Sequence, residues 1–193
     1  MKLLRRKQTR LPGYDYSQPG WYYLTVCAQN RECLFGKIVD RKMVLNSVGE
    51  IVKNVWQSLP DHYLVKLDKF QIMPNHIHFI IHLTGAGLSR PTGSCPTGLC
   101  PTGLCRPTVG QITAYFKYQS TKQINNFVNE RNVGAGLSRP TGLYPMRSYP
   151  TRSSRPVIKK IFQRNFYEHI IRSQNELDKI REYVESNPFN WDL

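Results

Sequence analysis

The chain has 193 residues, with 27 Lys and Arg against 13 Asp and Glu and a formal charge of +14. That length suits one domain (1–193) with a real core and is short for two, while the basic excess calls for a polyanionic partner, nucleic acid first. A membrane fits poorly: there is no long apolar segment or basic amphipathic helix, and no apolar run follows the basic start MKLLRRKQTR, so the expected location is the cytoplasm.

Lys2, Arg5, Arg6, Lys7 and Arg10 make a basic arm that ends at the Pro19-Gly20 turn. Trp21 to Ala28, WYYLTVCA, is aromatic and β-branched and predicts a first strand. LFGKIV and KMVLN then flank Asp40-Arg41 as a small hairpin. Asn46-Ser47 caps a helix whose apolar residues Val48, Ile51, Val52, Val55 and Trp56 recur at helical spacing. That helix stops before Leu59-Pro60. Leu64 to Met73 reads as a strand, turned tightly at Pro74-Asn75 into the next one.

That next strand, HIHFIIHL, is the most informative stretch. Alternation puts His76, His78, Ile80 and His82 on one face and Ile77, Phe79, Ile81 and Leu83 on the other. Two imidazoles over an apolar back offer two nitrogen ligands to one divalent ion; the plain alternative is two solvated histidines on a half-buried strand. His82, further along the same face, reads as a spectator.

Composition shifts abruptly at 84–107 and again at 133–156. CPTGL repeats in tandem from Cys95, and GAGLSRPTG at 85–93 returns at 134–142. Gly, Pro and small polar residues at this density bury too little apolar area to offset chain entropy, so both stretches read as low-complexity insertions. The shared nonapeptide implies duplicated coding DNA, which a gene sequence without a nucleotide repeat would exclude. Of the five cysteines, Cys95, Cys100 and Cys105 belong to the repeat. Cys27 and Cys33 lack metal-type spacing and are expected as free thiols.

Between the insertions, Thr108 to Glu130 predicts a second long helix, with Val109, Ile112 and Phe116 inward and Lys117 and Lys122 in solvent. Ile158 to Arg172 has strand character and is strongly basic. A final helix begins near Ser173, carries Leu177, Ile180 and Val184, and stops at Asn187-Pro188. Tyr183 and Asn187, four residues apart, share one face of it. Taken plainly, Tyr183 borders the core stripe and Asn187 is a cap. Outside the insertions the order of elements predicts an α+β fold, a ferredoxin-like antiparallel sheet with helices packed on it.

Three blocks, WYYLTVCAQNRECLFGKI, MPNHIHFII and FQRNFYEHIIRSQNELDKIREYVESNPFNW, occur in that order and cover nearly all the chain outside the insertions. Together they resemble the single-tyrosine HUH transposases associated with repetitive extragenic palindromes. Phe162 departs from a common tryptophan, and Phe79 from a common small residue. The resemblance implies a metal-dependent DNA strand transferase that cleaves and rejoins single-stranded DNA near hairpins through a 5′-phosphotyrosine. It implies Tyr183 as nucleophile, His76, His78 and Asn187 as ligands of Mg or Mn, and a monomer or homodimer. Tyr115, Tyr118 and Tyr167 are rival nucleophiles. Lys117, Lys122, Lys159, Lys160, Arg164 and Arg172 are candidates for a DNA track. The alternative function is a hairpin-binding protein without catalysis.

Overall fold

The structure, a computed structural model, describes residues 10–84, 107–134 and 160–191. Lys159, the repeat cysteines and both insertions, apart from their end residues, lie outside the described residues. Strand β1 (Gly20–Cys27) leads to the hairpin of β2 (Gly36–Val39) and β3 (Lys42–Leu45). Asp40 and Arg41, both at positive φ (48° and 59°), form its two-residue turn, a backbone whose twist matches that of the flanking strands. Helix α1 (Ser47–Gln57) starts where Asn46 Oδ1 accepts from the Gly49 N–H at 2.9 Å. Pro60 does more than end it: it sits in the first turn of a separate short helix, α2 (Leu59–His62), where its missing N–H costs nothing. Strands β4 (Val65–Ile72) and β5 (His76–Leu83) follow, then α3 (Val109–Gly134), β6 (Tyr167–Ile171) and α4 (Gln174–Ser186).

The main sheet is antiparallel in the order β4-β5-β1-β6, with β2-β3 as a separate ribbon. With the ribbon set aside, this is the strand order of a ferredoxin-like fold, as the sequence predicts. The basic stretch before β6 is less strand-like than expected. Among its described residues only Phe162 forms a bridge, an isolated one to Ala28, before β6 begins at Tyr167.

Two helical layers cover the sheet. On one side Leu24, Val26, Ile77, Phe79 and Ile81 pack with Val52, Trp56, Ile112 and Phe116 of α1 and α3 in the larger core. Each such side chain contributes about 1.5–3 kcal/mol by leaving water. On the other side α4 lays Leu177 and Val184 over Tyr23, Ile80 and Ile171, a much smaller apolar cluster. The register of β4 shifts between Leu67 and Phe70. There Asp68 accepts from Arg181 Nε at 2.7 Å and Lys69 pairs with Glu185, tying α4 to the sheet edge. On β6, Glu168 is buried and accepts from Arg10 Nε at 2.7 Å. Burial raises its pKa in spite of the arginine. His169 pairs with Glu176 at 2.7 Å, so both residues of this basic segment have structural partners.

Candidate active site

The site lies on the α4 side of β5, near the strand's start. His76 and His78 project to that face as alternation requires, and their Nε2 atoms stand 2.9 Å apart. Each ring's other nitrogen is engaged: His76 Nδ1 is 2.7 Å from Asn75 Oδ1, and His78 Nδ1 lies 2.7 Å from Tyr23 Oη and 3.0 Å from Thr25 Oγ1. The Asn75 oxygen can only accept, so His76 carries its proton on Nδ1 and exposes a lone pair at Nε2. The hydroxyls permit the same tautomer in His78. Burial lowers the pKa of His76 to about 4, with Arg31 adding repulsion, and that of His78 to about 3, with His76 adding to it. Both rings are therefore neutral at pH 7.

Two neutral imidazoles with converging lone pairs and fixed outer N–H groups are the arrangement that divalent ions select. Nitrogens about 2.1 Å from a shared ion stand roughly 3.0–3.4 Å apart, close to the separation seen here. Among the described residues no third His, Cys, Asp or Glu joins them. Tyr183, Asn187 and Trp191 recur every four residues along α4 and the short 3-10 turn Asn187–Asn190 that continues it. The Tyr183 ring is 5.7 Å from that of His78, and the Trp191 ring 5.8 Å from that of His76. Asn187 is bracketed between them, and its Nδ2 is buried without a partner. A half-turn of the amide would put Oδ1 there instead, where a cation would be its partner. The donor set of two imidazoles and one amide thus fits a divalent ion.

Tyr183 is 52 % exposed, so it is not part of the core stripe it borders. Of the rival tyrosines, Tyr115 packs against His62 and Tyr63. Tyr118 is exposed on α3. Tyr167 is the nearest competitor, with its ring 6.2 Å from that of Tyr23. The His82 ring meets that of Trp21 at 4.6 Å, tilted by 37°, further along the strand. The basic residues divide. Lys117, Lys160 and Arg164 line one cavity of about 650 Å³, while Lys122 and Arg172 are exposed and do not line it. Lys117 is not in open solvent as the helical pattern predicts; it is half-buried and donates to the carbonyls of Gln163 and Arg164.

Sequence reasoning assigns no role to Tyr23, Thr25 or Asn75 in holding the imidazoles, nor to Arg31 and Trp191 beside them. Only the parity of β1 hinted at the first two: Tyr23 and Thr25 share the face that β1 turns toward His78.

No family model matches the chain. An uncharacterized protein of Haemophilus influenzae is 34 % identical over 194 residues, spanning 97 % of this chain and 90 % of that one. The chain belongs to that protein's family. Its fold is that of the REP-associated tyrosine transposases: the solved structure of such an enzyme bound to a REP hairpin matches 94 % of this chain and 73 % of its own, with a TM-score of 0.52 at 16 % identity. A structure from Deinococcus radiodurans, described as a transposase, covers 91 % of this chain and 95 % of its own at 12 % identity and a TM-score of 0.42. That score adds nothing to the assignment. No helix among the described residues is long and apolar enough to cross a membrane.

Proposed function

We propose that the protein is a DNA strand transferase that cleaves and rejoins single-stranded DNA beside a hairpin, with Tyr183 as nucleophile. One observation carries this reading: an exposed phenol stands next to a neutral histidine pair within the same chain. The shared fold with a hairpin-bound tyrosine transposase supports it, and the charge of +14 suits the substrate.

His76, His78 and Asn187 would hold the ion, Mg²⁺ or Mn²⁺. Bound there, it supplies Lewis-acid polarisation of a non-bridging phosphoryl oxygen. The protein's own groups do the rest. Asn75 fixes the tautomer of His76, and the Tyr23 and Thr25 hydroxyls can accept the Nδ1 proton of His78. Burial pushes the Tyr23 phenol up to about 12, so it stays a neutral hydroxyl whose oxygen accepts from the His78 Nδ1–H. The attacking tyrosine gives up its phenolic proton, here to solvent at an exposed position. Attack by Tyr183 Oη forms an O–P bond and breaks the P–O3′ bond. The 3′ oxygen leaves and takes up a proton as a hydroxyl, and the 5′-phosphate stays on tyrosine. Attack by a 3′-hydroxyl reverses the step and reseals a strand. Both halves of the site come from one chain, so a monomer suffices for the chemistry.

The test is adduct formation on labelled hairpin DNA with a single-stranded flank. A denaturant-stable adduct is expected with Mn²⁺, and none with chelator or with Tyr183→Phe. An adduct that persists in Tyr183→Phe, or DNA binding with no adduct under any metal condition, refutes the mechanism; the latter leaves a hairpin-binding protein.

A further inference from the structure

Helix α4 rests on little apolar surface. Leu177, Ile180 and Val184 face the sheet, and against them stand Trp21, Tyr23, Ile80 and Ile171. A ridge that narrow leaves the helix free to roll about its own axis, because apolar contact carries no direction. The start of the helix is held at β6, where Glu176 meets His169 Nε2 at 2.7 Å and accepts from the Arg172 N–H at 2.8 Å.

Further along, directional contacts gather on Arg181. Its Nε donates to Asp68 Oδ2 at 2.7 Å, its Nη1 donates to Asp178 Oδ1 at 3.1 Å, and its guanidinium carbon lies 5.5 Å from the centre of the Trp21 ring. A planar fork between two carboxylates and an aromatic ring is fixed in orientation as well as in place. Asp68 reaches it from the irregular stretch of β4, where the register shifts between Leu67 and Phe70. Irregularities of this kind re-aim side chains beside active sites. The side chains of Asp68 and Arg181 are 17 % and 28 % exposed, so water and salt weaken their pair less than the open Lys69–Glu185 pair beside it.

Tyr183 follows two residues later. At 3.6 residues per turn its side chain leaves the helix about 200° round from that of Arg181, on the opposite flank. There its ring stands 5.7 Å from that of His78 and 6.4 Å from that of Tyr23. The two side chains are the ends of one lever across the helix axis. Side chains reach about 5–6 Å from that axis, so a roll of about 10° moves their tips by about 1 Å. Where an attacking atom must line up with its target, a displacement of that size costs about 100-fold in rate.

We propose that Arg181, locked to Asp68, is a positioning residue that fixes the roll of α4 and thereby aims the Tyr183 hydroxyl over the histidine pair. The proposal rests on the strand-transferase reading and adds to it the device that holds the nucleophile in line. A guanidinium already matched by two carboxylates has little charge left for phosphate, so the role needs no contact between Arg181 and DNA.

The experiment measures the rate of Tyr183 adduct formation by the full chain on labelled hairpin DNA at saturating DNA and Mn²⁺, with DNA affinity measured separately. Arg181→Met and Asp68→Asn should each slow the adduct by about 10- to 100-fold while DNA affinity holds. The double variant should be no slower than the worse single one, since both changes break one contact. Asp68→Asn leaves the arginine charge in place, so a role for Arg181 in gripping DNA predicts no loss from it. Asp68→Glu keeps both charges but lengthens one arm of the pair by a methylene. It should slow the adduct by about 10-fold at an unchanged melting temperature, a loss that a merely stabilising ion pair would not produce. The same variant decides the question if the others melt below the assay temperature. A wild-type rate in Asp68→Glu or Asp68→Asn, losses that multiply in the double variant, or a loss confined to DNA affinity overturns the positioning role alone. A wild-type protein that forms no Tyr183-dependent adduct overturns it together with the strand-transferase reading.

Discussion

The two faces of the four-stranded sheet divide the labour of this protein. On the α1 and α3 side the inward residues of β1 and β5 are apolar, buried and tightly interlocked: Phe79 alone meets the rings of Trp56 and Phe116 at 5.0 and 5.5 Å. On the α4 side the same strands present Tyr23, Thr25, His76 and His78, and a small apolar cluster, with the Arg181–Asp68 and Lys69–Glu185 pairs, anchors the helix above them. One strand thus alternates between holding the fold together and holding the chemistry. A buried polar face is tolerable because each imidazole nitrogen that points away from the pair has a partner, and because the rings stay uncharged.

This contrast can be broken residue by residue. The largest effect is expected from Tyr183→Phe, which should lower adduct formation by at least about 1,000-fold without a change in melting temperature, since the side chain is half in solvent. Tyr167→Phe, one ring away, should leave the adduct within about threefold. Next come neighbours on β5. His76→Ala should weaken Mn²⁺ binding by about 100-fold or more and cost little stability, whereas Ile77→Ala, fully buried on the opposite face, should cost about 2–5 kcal/mol in denaturant melts and spare metal affinity. Equal losses of stability from the two changes would erase the distinction between the faces.

Smaller effects should come from the groups behind the imidazoles. Thr25→Val together with Tyr23→Phe removes both hydroxyls at His78 Nδ1 and should lower Mn²⁺ affinity by about 10- to 100-fold, measured by calorimetry. The mildest expectation concerns pH. His76 and His78 are held at about 4 and about 3, below the ordinary 6.5. The unfolded chain therefore binds more protons than the folded one between about pH 6.5 and 3, so their contribution to stability is complete above 6.5 and falls as pH drops through that window. Proton competition for the metal should likewise be slight at pH 6 and severe below 4. An affinity that halves near pH 6.5 would mean the pair is not buried as described.

How much of this was legible in the chain follows from the range of each interaction. Period-two alternation of HIHFIIHL and the four-residue step from Tyr183 to Asn187 are local, so the facing of both pairs could be read directly. The fold class followed from the order of such segments. The partners of His78 could not be read, because Tyr23 and Thr25 reach it only through the register of β1 against β5, across more than fifty residues. Lys117 looked solvent-facing by helical phase, but the chain before β6 folds back so that two of its carbonyls cover the ammonium. Pro60 looked like a terminator, although the same residue is equally suited to begin a helix. The left-handed Asn30-Arg31 turn had no glycine to announce it.

The proposed chemistry requires one arrangement, an ion held by two imidazoles and an amide beneath an exposed phenol. Diffraction from Mn²⁺-soaked crystals, with an anomalous map at the manganese edge, tests it directly. The expected result is a single strong peak about 2.0–2.3 Å from His76 Nε2, His78 Nε2 and Asn187 Oδ1 of one chain, with the Tyr183 hydroxyl facing it. A peak that leaves out either histidine, or an occupied site with Tyr183 turned away and Tyr167 in its place, would contradict it.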